Sequence, residues 1–350
     1  MLLEREESRL RLERLKRQHP LRQLFWECTL RCNMSCRHCG SDCKKIAGQP
    51  DMPLDDFLPV LDEIKRNQPK VRTIVFTVGG EPLVRPDLPR CGREISKRGF
   101  YWGTVSNALM LDRKMMHELS RNGLCSIAID LDGLEPQHNW LRHDETSFGR
   151  AFDAIAHLKE APHLAWDIIT CVNKRNLPHL DELKRMLIDA GVKKWRCFTI
   201  IPMGRAQGDD ELQLTDEQLR QLMEFIVKTR REGEIDLSYS CEGFLGDYEG
   251  RVRNHHFACH GGVTVASVLA NGDISGCLSI RSHYAQGNIY RDSFWDVWQN
   301  RFESYRDRSW MRRGECAECD VFSYCQGNGM HLRRDDGSLM MCHYNKLFKR

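Results

Sequence analysis

The stretch Val71-Arg72-Thr73-Ile74-Val75-Phe76-Thr77-Val78-Gly79-Gly80-Glu81-Pro82 sets a β-branched, apolar run against an abrupt double glycine. Such a run, stopped by glycine, predicts a buried strand. The two glycines leave room for a ligand to approach the backbone, and the Glu81 carboxylate beside them can accept from an ammonium group. Outward from here a strand–helix rhythm runs in both directions. Upstream, Arg22–Thr29 reads as a strand, and Pro53 opens a helix with Leu54, Phe57, Leu58, Leu61 and Ile64 on one face. Downstream come a helix through 93–97, a strand at 100–106, a helix at 113–121, a strand at 124–131 and a helix at 148–159. A strand at 165–172, a helix at 180–190, a strand at 192–201 and a last helix at 216–231 complete six strand–helix units. Gly123 and Gly191 fall just past helix ends, where a left-handed cap is expected, and Thr215 is placed to cap the last helix.

Strands separated by crossover helices imply a parallel sheet, and the apolar runs suit strands covered on both faces. The expected fold is α/β, a partial (β/α)6 TIM-like barrel with a small cysteine-rich C-terminal domain; a doubly wound sheet fits the same periodicity. After about residue 235 short apolar pieces, Gly-rich turns and cysteines alternate, and Asn271-Gly272 between two apolar runs reads as a hairpin turn. The division expected is a charged helix over 1–20 packing loosely on the body, a core over 21–234, and a separate auxiliary domain over 235–350.

Composition narrows the class. In 350 residues no window approaches eighteen uncharged apolar positions, so no spanning helix is expected. The N-terminus Met1-Leu2-Leu3-Glu4-Arg5-Glu6-Glu7 lacks the apolar core and cleavage site of a secretory signal. Lys plus Arg number 52 against 49 Asp plus Glu, a net charge of +3 that gives no reason to expect a nucleic-acid surface. Sixteen cysteines in a chain without a secretory signal point to metal or redox chemistry rather than disulfides, and to a cytoplasmic protein.

The cysteines fall into two groups. Cys32-x3-Cys36-x2-Cys39 follows the first strand. Three thiolates this close can hold three irons of a [4Fe–4S] cube and leave the fourth open to an outside ligand; a structural zinc site, with Cys28 or Cys43 as fourth ligand, is the alternative reading. Scattered Cys91, Cys125, Cys171 and Cys197 read as core packing, Cys28 as strand packing and Cys43 as an exposed loop thiol.

The Cx3Cx2C loop after strand one, with Gly79-Gly80-Glu81-Pro82 after strand two, resembles the radical S-adenosylmethionine (SAM) superfamily over about residues 21–230. The resemblance implies that Cys32, Cys36 and Cys39 bind a [4Fe–4S] cluster whose open iron chelates SAM. One electron then cleaves the sulfonium bond, and a 5′-deoxyadenosyl radical abstracts a substrate hydrogen. It also implies that Gly79, Gly80 and Glu81 hold the methionine amino end, that His38 lies near adenine, and that Asp130 stands where the family often has a ribose-contacting serine. Ser106, Asn107 and Asp130 end strands at the carboxyl edge, where barrel active sites form; turn and cap roles stay open for them.

The C-terminal pattern Cys259-x12-Gly272-x4-Cys277, then Cys316-x2-Cys319-x5-Cys325, then Cys342 looks like the SPASM extension of peptide-modifying radical SAM enzymes. That likeness implies auxiliary clusters, Cys316, Cys319, Cys325 and Cys342 making one complete set; a zinc ribbon is the alternative. One departure stands out: the pattern expects a cysteine four residues after Cys325, and this chain has Gly329. Cys259 and Cys277 remain for a second cluster, with Cys241 as a candidate third ligand. Leu278, where enzymes that make formylglycine usually carry aspartate, argues against that activity.

The function expected is a radical SAM maturase acting on a peptide or small-protein side chain, with a resemblance to a subgroup encoded beside small lipoproteins. The alternatives are an enzyme of the same class acting on a small molecule such as a tetrapyrrole intermediate, and a non-enzymatic iron–sulfur or zinc protein. An electron donor such as flavodoxin or ferredoxin is implied, with neither nucleic acid nor membrane as partner. No catalytic acid or base stands out among Asp132, His138, His143 and Tyr239.

Overall fold

The computed structural model of the chain describes residues 2–240, 242–280 and 283–349; Cys241, weighed above as a ligand, lies outside them. A helix α1 (Leu2–Gln18) precedes a sheet whose strands β1 (Gln23–Thr29), β2 (Ile74–Gly79), β3 (Tyr101–Ser106), β4 (Leu124–Asp130), β5 (Ala165–Val172), β6 (Lys194–Thr199) and β7 (Asp236–Tyr239) lie side by side in chain order. Each is parallel to the next. The crossovers carry α2 (Leu54–Asn67), α3 (Leu88–Lys97), α4 (Arg113–Arg121), α5 (Glu135–Arg142), α6 (Ser147–Lys159), α7 (Leu180–Asp189) and α8 (Asp216–Glu232). Thr215 caps α8 through a full capping box with Gln218, and Gly123 and Gly191 take the left-handed conformation (φ +91° and +82°) past α4 and α7.

Three departures from the sequence reading concern what holds the site. Helix α5 has no apolar periodicity to announce it; Pro136 lies in its first turn and His143 ends it with φ 58°. The short β7 adds a seventh parallel strand. The sheet also continues across the boundary expected at residue 234. Strand β8 (Val265–Val268) pairs parallel with β1, and β9 (Asp273–Ser275) and β10 (Gly287–Asn288) follow antiparallel, the β8–β9 hairpin turning at Asn271-Gly272. The two expected units therefore share one ladder.

The two faces of the sheet differ, contrary to the expectation of apolar cover on both. Leu24, Trp26, Val75, Trp102, Ile127, Ile129, Ile168 and Trp195 are fully buried on the helix side, where Trp26 stacks on Phe57 of α2 with ring centroids 4.3 Å apart. The alternate positions Phe25, Phe76, Asp130, Asp167, Arg196 and Phe198 are only half-buried, and Asp167 pairs with Arg196 there. A strand face that is only half-buried and sets charged side chains among phenylalanines lines a space rather than a core.

Helix α1 is held more firmly than its loose packing in the sequence reading suggests. Arg5 donates to the Gly246 carbonyl (3.0 Å) and Asp247 (2.8 Å), Lys16 to Gln326 (2.8 Å), and Trp298 to the His19 carbonyl (3.1 Å).

A Cβ on Gly92 of α3 would overlap the ring of Trp102, which has no exposed surface. Gly92→Ala is expected to lower the urea midpoint by the equivalent of about 1–3 kcal/mol, although alanine favours helix by about 1 kcal/mol. An unchanged midpoint would show that the ring is free to move.

Candidate functional site

The loop that leaves β1 carries Cys32, Cys36 and Cys39, and its irregular backbone is fastened by neighbours. Cys32 N–H donates to the Lys44 carbonyl (2.9 Å) and Arg37 N–H to the Leu141 carbonyl at the end of α5 (2.9 Å). After β6, the turn at Gly204 (φ +57°) approaches so closely that a Cβ there would lie 2.5 Å from the Cys39 carbonyl oxygen. Arg205, next in chain, donates to the carbonyls of Cys36 (2.7 Å) and Cys43 (2.9 Å) from its side chain and to that of Cys39 (3.1 Å) from its backbone.

Each of the three thiols meets a donor. Asn107 Nδ2 lies 3.9 Å from Cys32 Sγ, and Arg142 Nη1 4.0 Å from Cys36 Sγ. Cys39 is hydrogen-bonded by the thiol of Cys43, which pulls its pKa down to about 5 with help from Arg205. Burial pushes Cys32 up to about 12 and raises Cys36, and the three thiols act on one another through charge. Cys43 is 3% exposed, so it is not the exposed loop thiol expected: it faces Cys39. Cys28, Cys91 and Cys197 are fully buried, as core packing requires.

Gly79 (φ +125°) and Gly80 stand against the same loop. A Cβ on either would overlap the Thr29 or Arg31 carbonyl oxygen, and Gly80 N–H and Glu81 N–H donate to those oxygens at 2.8 and 2.9 Å. The backbone these glycines admit is thus the cysteine loop's own. Glu81, 1% exposed, accepts from Leu83 N–H (3.0 Å), Ser106 Oγ (2.9 Å) and Asn107 N–H (2.7 Å), while burial pushes its pKa up to about 7. Asn107 Nδ2 also donates to Asn33 Oδ1 (2.8 Å). Glu81, Ser106, Asn107 and Cys32 therefore meet at one strand-end face.

Asp130 is engaged by a residue the sequence reading missed. Arg142 of α5 donates Nη1 to Asp130 (3.0 Å) and Nε to Asp132 (2.6 Å), and Asp132 also accepts from Cys171 N–H (2.8 Å). His138 Nδ1 accepts from Asp132 N–H (2.9 Å). Burial and the charge of Arg142 push half-buried His38 down to about 3, which keeps its ring neutral. Of the four acid–base candidates, Asp132 is thus tied to Arg142 and His138 to Asp132, and both are buried. His143 is an exposed helix cap, and Tyr239 is buried against Thr199 and Glu242 (3.0 and 2.9 Å).

Cys316, Cys319, Cys325 and Cys342 gather in the C-terminal part. Burial comes first in raising Cys325 and Cys342, and each also feels Cys316 and Cys319. Buried Arg333 donates to Cys316 Sγ (3.3 Å) and to the Gly327 and Gly337 carbonyls (2.6 and 3.0 Å). Cys259 lies below the usual thiol range: burial opposes its ionisation, but Arg308 and the backbone N–H groups of Met330 and Gly261 outweigh it. Cys277 packs beside the core next to Gly261. Gly329 adjoins the imidazole of His331, which burial pushes down to about 4. Among the described residues no three Cys, His, Asp or Glu side chains stand at the spacing of a single-ion site.

Two protein-family models match the chain: the radical SAM superfamily over residues 26–187, and SPASM, an iron–sulfur cluster-binding domain, over residues 259–320. The chain thus carries a radical SAM domain followed by a SPASM domain. It is 24% identical to an AdoMet-dependent heme synthase of Methanosarcina barkeri, over 87% of this chain and 90% of that one. It is 29% identical to the mycofactocin maturase MftC of Mycolicibacterium smegmatis, over 88% of this chain and 77% of that one. The solved structure of native anSMEcpe with bound AdoMet and Cp18Cys peptide superposes with a TM-score of 0.71 at 18% identity, covering 93% of both chains, so the partial-barrel fold is shared.

As a radical SAM enzyme with a SPASM-type domain, the protein uses a [4Fe–4S] cluster, SAM and auxiliary iron–sulfur clusters. The residues present fit these groups. Three thiols act on one another with a donor beside each, and Cys325 and Cys342 feel Cys316 and Cys319, with Arg333 bonded to Cys316. Two buried polar atoms of the cysteine loop, Asn33 Nδ2 and His38 Nδ1, have no partner among the described residues. No helix among the described residues is long and apolar enough to cross a membrane. Sequence reasoning missed Arg142, Arg205, Arg308 and Arg333, because their roles come from contacts far along the chain.

Two outcomes follow from the Arg142 cluster. Arg142→Met leaves buried Asp132 and half-buried Asp130 unpaired and is expected to cost about 3–5 kcal/mol in denaturant unfolding; a loss below about 1 kcal/mol would show that the pair is dispensable. Burial holds folded His138 at about 4, below its ordinary 6.5, so the unfolded chain takes the proton first. Its contribution is complete above pH 6.5 and is lost as pH falls towards 4, by at most about 3 kcal/mol. Urea midpoints across that range should fall less steeply in His138→Gln than in wild type.

Proposed function

We propose that the protein reductively cleaves SAM and uses the radical to modify a peptide or small-protein side chain. The observation that carries the reading is the joining of the three-thiol loop to the Gly79–Glu81–Asn107 face through shared backbone hydrogen bonds. Cys32, Cys36 and Cys39 would hold the SAM-binding cluster; Cys316, Cys319, Cys325 and Cys342 one auxiliary cluster; Cys259 and Cys277 part of another. When bound, the first cluster supplies the electron that breaks a carbon–sulfur bond of SAM to give the 5′-deoxyadenosyl radical.

The remaining work falls to the chain. Glu81 would accept from the methionine ammonium alongside the backbone at Gly79 and Gly80, while Ser106 and Asn107 orient that carboxylate. Asp130, steadied by Arg142, would serve the ribose, and neutral His38 the adenine. Phe25, Phe76 and Phe198 offer an apolar wall that excludes water from the radical. The division that goes with this assignment is a helix over 1–20, a radical SAM core over 21–234 and an auxiliary domain over 235–350 whose β7 and β8 extend the core's sheet, with an electron donor such as flavodoxin or ferredoxin. The reduced thiols suit the cytoplasm.

The peptide reading is supported by the maturase relative and by the related structure holding a peptide. The heme synthase relative favours a second reading, a tetrapyrrole substrate. Anaerobically reconstituted enzyme with SAM and dithionite is expected to release 5′-deoxyadenosine, and Cys32→Ala/Cys36→Ala/Cys39→Ala to release none and lose about four irons per chain. Unchanged yield and iron in the triple variant would overturn the assignment. A mass change in a tetrapyrrole intermediate, but in no peptide offered as substrate, would favour the second reading over the first.

A further inference from the structure

The SPASM spacing breaks at Gly329, and the structure shows what fills the gap. A Cβ built on Gly329 would lie 2.6 Å from Cε1, 2.9 Å from Nδ1 and 3.4 Å from Nε2 of His331. A cysteine at this position would carry its sulfur one bond beyond that point, within the region the imidazole takes up.

The same turn approaches Cys259, one of the two cysteines that the SPASM pattern assigns to the cluster of which Gly329 would be a ligand position. Met330, between Gly329 and His331, lies close enough to Cys259 for its backbone N–H to favour the thiolate. Arg308 joins the two segments, donating to the Asn328 carbonyl (3.0 Å) and the Cys259 carbonyl (3.4 Å), and its charge acts on His331 as well. Gly261, two residues after Cys259, would carry a Cβ 3.7 Å from that of Cys277. Buried Tyr305 feels both thiols and donates or accepts at Ser275 (3.3 Å), two residues before Cys277. His331 is 8% exposed, and among the described residues neither of its ring nitrogens makes a hydrogen bond.

We infer that His331 takes the place of the missing cysteine and ligates an auxiliary iron–sulfur cluster shared with Cys259 and Cys277. The inference rests on the proposal above that those two thiols hold a cluster. Imidazole replaces thiolate at iron in other iron–sulfur centres, where it raises the reduction potential. The presence of Gly329 where the pattern has cysteine is then one half of a change of donor atom, and glycine is the residue small enough to let the ring in.

The test uses the full chain, reconstituted anaerobically with iron and sulfide, without SAM, and prepared with histidine of natural abundance or labelled with nitrogen-15. Pulsed EPR of the dithionite-reduced protein is expected to show coupling to a directly bound nitrogen that changes with the isotope. That coupling should vanish in His331→Cys, which keeps its iron and shifts to a more negative potential. Absence of an isotope-sensitive coupling in wild type needs no variant to fold and would overturn the inference, as would a coupling that survives in His331→Cys. The premise is read separately: Cys259→Ala/Cys277→Ala should lose about four irons per chain. An unchanged iron count there would remove the cluster itself, whatever the nitrogen signal.

Discussion

Two hydrogen bonds, from Gly80 N–H to the Thr29 oxygen and from Glu81 N–H to the Arg31 oxygen, carry the β1–β2 ladder past the ends of both strands and into the loops. They exist only because residues 79 and 80 lack a Cβ. Through them the start of the cysteine loop inherits the rigidity of the sheet, although the loop itself has almost no regular structure. Glu81 passes that registration on to the end of β3 by accepting from Ser106 and Asn107, and Asn107 returns to Cys32. Pre-organisation of this kind matters most where a reactive species must meet one hydrogen and no other.

Guanidinium groups do elsewhere what strands do in the core. An irregular loop leaves carbonyl oxygens unmatched, and each must find a donor if it is buried. Arginine brings five donors on one rigid plane. Arg85 serves the carbonyls of Cys28 and Met52, Arg205 those of Cys36 and Cys43, Arg253 those of Ser240 and Gly243, and Arg333 those of Gly327 and Gly337. Several of these carbonyls belong to cysteines or their near neighbours, so the positive charge that shapes a loop also lies close to thiols that must lose protons when they bind metal.

What the sequence discloses is what has a short period or a short spacing. The helix faces of α2 and α8, the cap at Thr215, the strand Val71–Val78 and the Cx3Cx2C loop all declare themselves within about twenty residues. What it withholds depends on partners distant in the chain. Helix α5 is polar on most sides because it lies between the cysteine loop and the Asp132 turn, so its Arg142 gives no periodic signal. Cys43 reads as a loop thiol until Cys39 is seen beside it. The polar inner face of β5 and β6 is hidden by counting apolar residues rather than alternating them, for Asp167 and Arg196 sit at the half-buried positions.

The pairing of β8 with β1, Gln23 to Val265 through Trp26 to Val268, has a consequence for how the chain could have been assembled in evolution and in the cell. The strand that launches the cysteine loop is central only because a segment some 240 residues later in sequence comes back to flank it. A nascent chain that has emerged as far as α8 still shows the bare amide margin of β1 to its surroundings, a template on which a neighbouring copy could polymerise. Closure of that margin waits for the last third of translation, which ties the maturation of the first cysteine site in time to the arrival of the second.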